Sequence, residues 1–445
     1  MLDGIPVLRS SRVDQQDHIT GRTEVDGPTV EHLVELLERG RCLEALVEML
    51  AFPPPIPFGL GDRPGLRLPF TRGPWPHLAL AARRAEVAAM LEDLDALTAQ
   101  DWMELAYRRS SNRITGELFA YFFARFGQPR HLATLSLLHA LPTDPRPVLD
   151  LACGYGHVMH HLASRDRSTD VVGVDRNFFQ LWVGRRYIAP GQTFVCSDEI
   201  TSLPFHDDAF AAAVCGDAFH YFTDQQTVLD EMRRAAQADT VILDRIGNAL
   251  LEPRDSDHER DPAGYLELLR GAPGRILSED ELIAGYLADF GPQLAEEREP
   301  EEVEMHKWLS IVSSLDVSIF TDHQQLEGVL PPHAAGTLTI SPLFTVREDG
   351  DEVCLSFSFP STWYAFENSG MLSYTSAGER LTRDGYARLL AGDPDELEDY
   401  VRRFVVLGMP TRYAREPGSS RGPVSVAAGL ARGISHRLLS HRRSR

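Results

Sequence analysis

Lysine is almost missing from this sequence: Lys307 is the only one among 44 basic residues, and arginine takes every other basic position. No function is read from that bias. Basic residues as a group are also in deficit, because 65 Asp and Glu outnumber them and leave a net charge of −21. Such a surface repels polyanions, so nucleic acid is not an expected partner. Cysteine is sparse: Cys42, Cys153, Cys196, Cys215 and Cys354 are scattered without a C-x-x-C spacing, which suggests neither a zinc site nor a disulfide framework. Reduced thiols in a cytoplasm fit that usage. No apolar run reaches membrane-spanning length, and the start, MLDGIPVLRSSRVDQQDH, lacks the basic opening and continuous apolar core of a secretion signal. A cytoplasmic protein with no integral membrane segment is the expectation.

What is present is enough for real cores. At 445 residues and 43% hydrophobic, the chain predicts two or three packed units. After a polar, aperiodic stretch to about residue 28, helical spacing runs from Val30 to Leu50, and PPPIPFGLGDRPGLRLPF then breaks both helix and strand ladders. Helical patterning resumes from Pro76 to Leu141. At Arg146 the period changes, and short apolar runs (PVLDLA, VVGVD, TFVCSD, AFAAAVC, TVILDRI) alternate with helical segments. That alternation predicts a doubly wound α/β sheet with helices on both faces. A Ser278 and Glu281 capping box opens a further helix, and strands near 293–299 and 306–312 would complete seven. Beyond residue 315, two strands around a turn at Glu348 to Asp351 and helices near 380–391 and 394–406 predict a small α+β unit. The last segment, SVAAGLARGISHRLLSHRRSR, reads as a solvated basic tail, although Leu430, Ile434 and Leu438 share one helical face. The expected division is 1–75 (helical and linker region), 76–314 (the sheet domain with its helical cover), 315–424 (the small α+β domain) and 425–445 (the tail).

The run Val148-Leu-Asp-Leu-Ala-Cys-Gly-Tyr-Gly156 takes an apolar strand into a glycine turn and then a helix from about His157. Gly154 and Gly156 allow positive φ and close backbone approach, and a ligand across such a turn meets unpaired amides at a helix start. Asp175 ends the next strand, VVGVD, 21 residues past Gly154, where a carboxylate can accept both hydroxyls of a ribose. A dinucleotide fingerprint, G-x-G-x-x-G, is excluded because Met159 stands three residues past Gly156. Asp150 just before the loop disfavours a pyrophosphate and suits a cationic ligand such as a sulfonium amino acid.

These segments, with SDEITSLPFHDDAF at 197–210, AVCGDAFHYFTD at 213–224 and LDEMRRAAQADTVILDRI at 229–246, resemble the class I S-adenosylmethionine-dependent methyltransferases, especially those that methylate small molecules. The resemblance covers about residues 146–313 and implies a Rossmann-like, seven-stranded domain with S-adenosyl-L-methionine as cofactor. By position it implies that Asp150, Ala152, Gly154 and Gly156 line the methionine and ribose end, that Asp175 holds the ribose hydroxyls, and that Asp198 or Glu199 faces the adenine amine. Two positions depart from the pattern. Ala152 replaces a frequent glycine, and Ala211 follows Phe210 where an aspartate is usual.

Methyl transfer from a sulfonium needs alignment and exclusion of water, and a base only where the acceptor loses a proton. His220 lies just past the fourth strand and is the candidate base, against a packing role between Phe219 and Tyr221; Tyr221 and Asp217 are secondary candidates. No metal cluster is evident: His160 and His161 are splayed around a helix, and Asp255, Asp257 and His258 lie in a polar loop. No Asn-Pro-Pro-Tyr run follows the fourth strand, which disfavours planar-amine acceptors. The aromatics Trp102, Tyr107, Phe119, Tyr121, Phe122 and Phe123 precede the motif, and helices there often cover the cofactor in the family. The leading expectation is methylation of a small molecule in biosynthesis, oxygen ahead of nitrogen or carbon. A cofactor-sensing scaffold without turnover and a methyltransferase for peptide or carrier-tethered substrates stay open, and a homo-oligomer is compatible with the sequence.

Overall fold

The computed structural model describes residues 1–9, 12–16, 23–51, 75–108, 119–165, 170–324 and 336–415. The proline-rich stretch at 53–70 and the basic tail at 425–445 lie outside these. Strands are β1 (Val7–Leu8), β2 (Arg12–Gln16), β3 (Thr23–Thr29), β4 (Val148–Leu151), β5 (Val171–Asp175), β6 (Thr193–Ser197), β7 (Ala212–Gly216), β8 (Val241–Gly247), β9 (Gly274–Ser278) and β10 (Trp308–Ser313). The C-terminal unit adds β11 (Thr337–Ile340), β12 (Phe344–Asp349), β13 (Glu352–Phe357), β14 (Gly378–Thr382) and β15 (Val406–Met409).

Strands covered on both faces are mostly apolar, and VLDL and VILDRIG follow this apart from Asp150, Asp244 and Arg245: every residue of β4 and β8 is buried. The central sheet has the order β1-β6-β5-β4-β7-β8-β10-β9. Its pairings are parallel from β1 to β8, and β10 runs antiparallel between β8 and β9. Successive side chains point to opposite faces. Val148, Val214 and Ile242 thus join one core with Trp102, Leu132 and Trp182, while Leu149, Ala213 and Leu243 join another with Leu229 and Met232. β4 lies between β5 and β7, so the chain reverses direction across the sheet at this strand. That switch opens a crevice at the carboxyl ends, where ligands of such sheets bind.

The helices have legible causes. Asp224 caps Gln225–Ala235 by accepting from the Thr227 amide, and Ser278 and Glu281 form the expected capping box on Glu279–Leu287. The first core also takes in the N-terminal helices and the C-terminal Tyr364, Leu407 and Tyr413, so the outer units pack directly on the sheet domain. A separate cluster around Leu355, Leu389 and Val405 stabilises the C-terminal unit internally.

Three expectations on strands need correction. The sheet has eight strands, because Val7–Leu8 from the aperiodic start pairs with β6. A two-residue edge strand carries no period to detect. The sixth strand is Gly274–Ser278, not 293–299; Gln293 makes only an isolated bridge to Asp322. GRILS has two core residues, Ile276 and Leu277, directly before the cap, so it reads as a lead-in to the helix. Past residue 336 there are five strands where two were expected: Gly378–Thr382 moves the start of one helix to Arg383, and Val406–Met409 follows the last helix, which ends at Arg402.

Gly184 sits where the chain after β5 crosses the glycine turn, and a Cβ there would lie 2.5 Å from the Tyr155 carbonyl oxygen and 3.1 Å from the Phe194 ring. Backbone cannot yield as a flexible side chain can. Gly184→Ala should therefore lower stability by about 1–3 kcal/mol, read as an earlier urea midpoint at unchanged slope.

Candidate functional site

The crevice begins at the turn after β4. Ala152, Gly154 and Gly156 have φ of 61°, 53° and 76°, so the alanine accepts a conformation that glycine would enter without a Cβ penalty. The Ala152 amide donates to the Val174 carbonyl at 2.7 Å, which ties the turn to β5. At the end of β5 the Asp175 carboxylate accepts from the Gly154 amide at 3.0 Å and the Asn177 amide at 2.8 Å. The turn and the ribose-type acid, separate in sequence, are thus one hydrogen-bonded unit. Burial raises the Asp175 pKa, and these amides act against the rise. Asp150 is buried beneath the turn; burial and the Asp175 charge push its carboxyl up to about 8, with Arg125 opposing.

Along the crevice, a cavity of about 520 Å³ is lined by Leu8, Arg9, Asp198 and Glu199 at the ends of β1 and β6. The Asp198 carboxylate pairs with Arg9 at 3.1 Å. Glu199 instead turns back on its own loop, accepting from the Thr201 amide at 3.0 Å and from the Thr201 hydroxyl. Tyr107 and Phe122, stacked at 5.2 Å, lie over the turn: the Tyr107 hydroxyl accepts from Gln180 at 3.2 Å, and Phe122 meets the Tyr155 ring at 5.2 Å. Trp102, Phe119 and Phe123 pack in the core.

At the other end, beyond β7 and β8, Asp217 gathers charge. It accepts from the Tyr121 hydroxyl at 2.5 Å, from Arg125 at 3.1 Å and from Arg130 at 3.0 Å, and it pairs with Arg245 at 3.1 Å. Glu367, from the C-terminal helix Thr362–Glu367, bridges Arg130 at 3.2 Å and Arg245 at 3.1 Å; Glu279 takes the remaining Arg245 nitrogen at 2.5 Å. Trp363 of that helix lies 6.0 Å from Tyr121. Burial acts to raise the Asp217 pKa, but the guanidiniums of Arg130, Arg125 and Arg245 hold it well below the usual carboxylate range.

His220 and Tyr221 follow in a short 3-10 turn. His220 is fully buried, 5.8 Å from Trp308 and 4.2 Å from Tyr221 between ring centroids, and burial lowers its pKa to about 4. It is neutral at neutral pH. Burial pushes the Tyr221 phenol well up. The structure therefore brings Asp150, Ala152, Gly154, Gly156 and Asp175 together, sets Asp198 and Glu199 along the same edge, and places Asp217, His220 and Tyr221 at the far end. Sequence reasoning missed Arg9, Arg125, Arg130, Arg245, Glu279 and Glu367. Arg245 inside the apolar run TVILDRIG carried the one usable signal, since a charge in a buried strand needs a partner.

A parallel sheet with its switch at β4, a positive-φ turn and an acid fixed at the end of the neighbouring strand define a fold built to hold a nucleoside-bearing ligand. Residues 148–239 match the family described as Methyltransferase domain. Over 94 residues the chain is 33% identical to demethylmenaquinone methyltransferase of Thermotoga maritima; the match takes in 21% of this chain and 40% of that relative's length. Similar solved structures include a putative methyltransferase from Bacillus halodurans (17% identity, 41% of this chain and 96% of the other, TM-score 0.28). Another is a geranyl diphosphate C-methyltransferase from Streptomyces coelicolor (14%, 41% and 77%, TM-score 0.31). Residues 148–239 thus match a methyltransferase domain, and the chain spans 40% of the length of the curated methyltransferase it matches.

Between the ordinary carboxylate pKa of about 4 and about 8, folded Asp150 keeps a proton that the unfolded chain releases, so its contribution to stability falls as pH rises through that window. Urea denaturation should show the wild type losing about 1–2 kcal/mol between pH 6.5 and 8 relative to Asp150→Asn. Parallel pH profiles for the two proteins would refute the protonated carboxyl.

Proposed function

We propose that this chain transfers a methyl group from S-adenosyl-L-methionine to a small-molecule acceptor, at oxygen, in a biosynthetic reaction. The observation that carries the reading is the Asp175 carboxylate, fixed by the Gly154 and Asn177 amides beside a positive-φ turn. The donor set fits the cofactor: a carboxylate with unused lone pairs for two ribose hydroxyls, an acid under the turn for a cationic amino acid, and a cavity with acids at the adenine end. When bound, the cofactor supplies a methyl group on a positively charged sulfur.

The chain's own residues do the rest. Gly154 and Gly156 allow the backbone to approach closely, and Asp150 offers negative charge once a cationic ligand favours its ionised form. At the acceptor end, Tyr121, Arg125, Arg130 and Arg245 enclose Asp217, whose side chain is only 10% exposed, which supports a small acceptor shielded from water. Asp217 is committed to three arginines and makes a poor proton acceptor. Neutral His220 is left as the base that takes a hydroxyl proton at a ring nitrogen.

Calorimetry should detect S-adenosylmethionine binding that Asp175→Ala weakens at least tenfold; no binding by folded wild type would sink the reading. With an acceptor found by supplying labelled cofactor to small-molecule extract fractions, His220→Ala should cut turnover about a hundredfold or more at nearly unchanged cofactor affinity. Near-normal turnover in a stable variant would remove the base and leave alignment as the mechanism.

A further inference from the structure

The first nine residues are fixed in place by more than their two-residue strand. Leu2 and Ile5 are buried, the Asp3 carboxylate accepts from the Trp182 indole at 2.6 Å, and the Asp3 carbonyl accepts from Arg185 at 3.1 Å. The Cys196 amide donates to the Pro6 carbonyl at 2.9 Å. Register then sets Val7 against Cys196 and Leu8 against Ser197, so that the next residue, Arg9, arrives at the carboxyl end of β6 beside Asp198.

A nearly buried guanidinium needs partners that compensate for lost water. Arg9, with its side chain 2% exposed, has two that matter here. One terminal nitrogen donates to the Arg176 carbonyl at 3.1 Å, one residue past Asp175, and the other pairs with Asp198 Oδ2 at 3.1 Å. Arg9 therefore spans the ends of β5 and β6, the two strands that carry the ribose-type acid and the acid lining the cavity. Asp198 stays one-third exposed beside that cavity and is oriented by Arg9, while Glu199 turns its Oε1 back on Thr201.

We propose that Arg9, on the added N-terminal strand, is a positioning residue for base recognition: it holds Asp198 so that this carboxylate, rather than Glu199, accepts from the exocyclic amine of the cofactor's adenine. This rests on the cofactor reading above. A guanidinium uses one carboxylate edge and leaves lone pairs for a second donor. The partner must then be an N–H group at position 6, where adenine offers its amine and a 6-oxo purine presents a carbonyl acceptor, with its ring N–H displaced to N1. The strand is thus part of the cofactor site, and selectivity among purine nucleosides depends on a residue about 190 positions from the acid it orients.

The test compares affinities of the full-length chain for S-adenosylhomocysteine and S-inosylhomocysteine, its 6-oxo analogue, by calorimetry. Wild type should prefer the adenine compound by about tenfold or more, the range set by leaving a site's polar group unpaired. Arg9→Met, which keeps the aliphatic stem, and Asp198→Ala should each bring that preference to about threefold or less. The double variant should be no worse than Asp198→Ala alone, and Arg9→Lys should recover part of the preference. If Arg9→Met weakened both ligands equally, or kept the preference that Asp198→Ala lost, Arg9 would be a mere strand anchor and the proposal would fall. Loss of the preference in Glu199→Ala with Asp198→Ala unaffected would also overturn it. Failure of wild type to bind either ligand would instead overturn the cofactor reading beneath it.

Discussion

The meeting of Arg130, Arg245, Asp217 and Glu367 is the contact on which the assembly of this molecule depends. Asp217 follows β7 and Arg245 lies in β8, Arg130 comes from the helix Pro129–Leu137 that precedes the sheet domain, and Glu367 comes from the C-terminal unit. Taking such groups out of water is costly, and their mutual attraction offsets the cost only when all partners are present. Removing any one unit strands charges belonging to the others. The cluster is therefore poor evidence of extra stability and good evidence of a fixed arrangement. Neutral contacts reinforce it: Gln128 donates to the Tyr364 hydroxyl at 3.0 Å, Tyr374 to the Gly127 carbonyl at 3.0 Å, and the Tyr413 hydroxyl meets His157 Nε2 at 2.9 Å.

A different economy governs the cofactor end. There the main-chain amides are aimed before any ligand arrives, because Gly154 and Asn177 already hold Asp175 and the turn is tied to β5 through Val174. Rigid placement of this kind lowers the ordering cost of binding. It also carries local strain, since Ala152 sits at φ 61°, where its Cβ is disfavoured by about 1–2 kcal/mol. The neighbouring sheet hydrogen bonds hold the residue there.

Much of this was legible in the sequence where one physical rule acted locally. The strands β4 to β8 read as apolar runs because they are covered on both faces, the turn read from its glycines, and Asp175 read from its distance to them. The capping box at Ser278 was legible for the same reason. What escaped were features that exist only through long-range partners. Val7–Leu8 is a strand only because β6 offers an open edge, Gly274–Ser278 only because β10 pairs with it, and Arg9 matters only because the register brings it to Asp198. The histidines were half legible. His161 meets the His131 ring edge-to-face at 5.3 Å in a core where burial drives its pKa to about 3, a packing partner that no local pattern announces.

Charge pairing around Asp217 bears on what the proposed reaction accepts. Arg125, Arg130 and Arg245 face Asp217, Glu279 and Glu367, with Asp244 and Asp255 also feeling these charges, and Lys307 is matched by Glu259 at 2.9 Å. The Arg245 guanidinium also lies 3.8 Å over the Trp308 ring, whose face disperses part of its charge. Charges paired within a cluster cancel much of one another's field at longer range. Under the proposed methyl transfer, selection among acceptors would then rest more on shape and short-range hydrogen bonds than on charge.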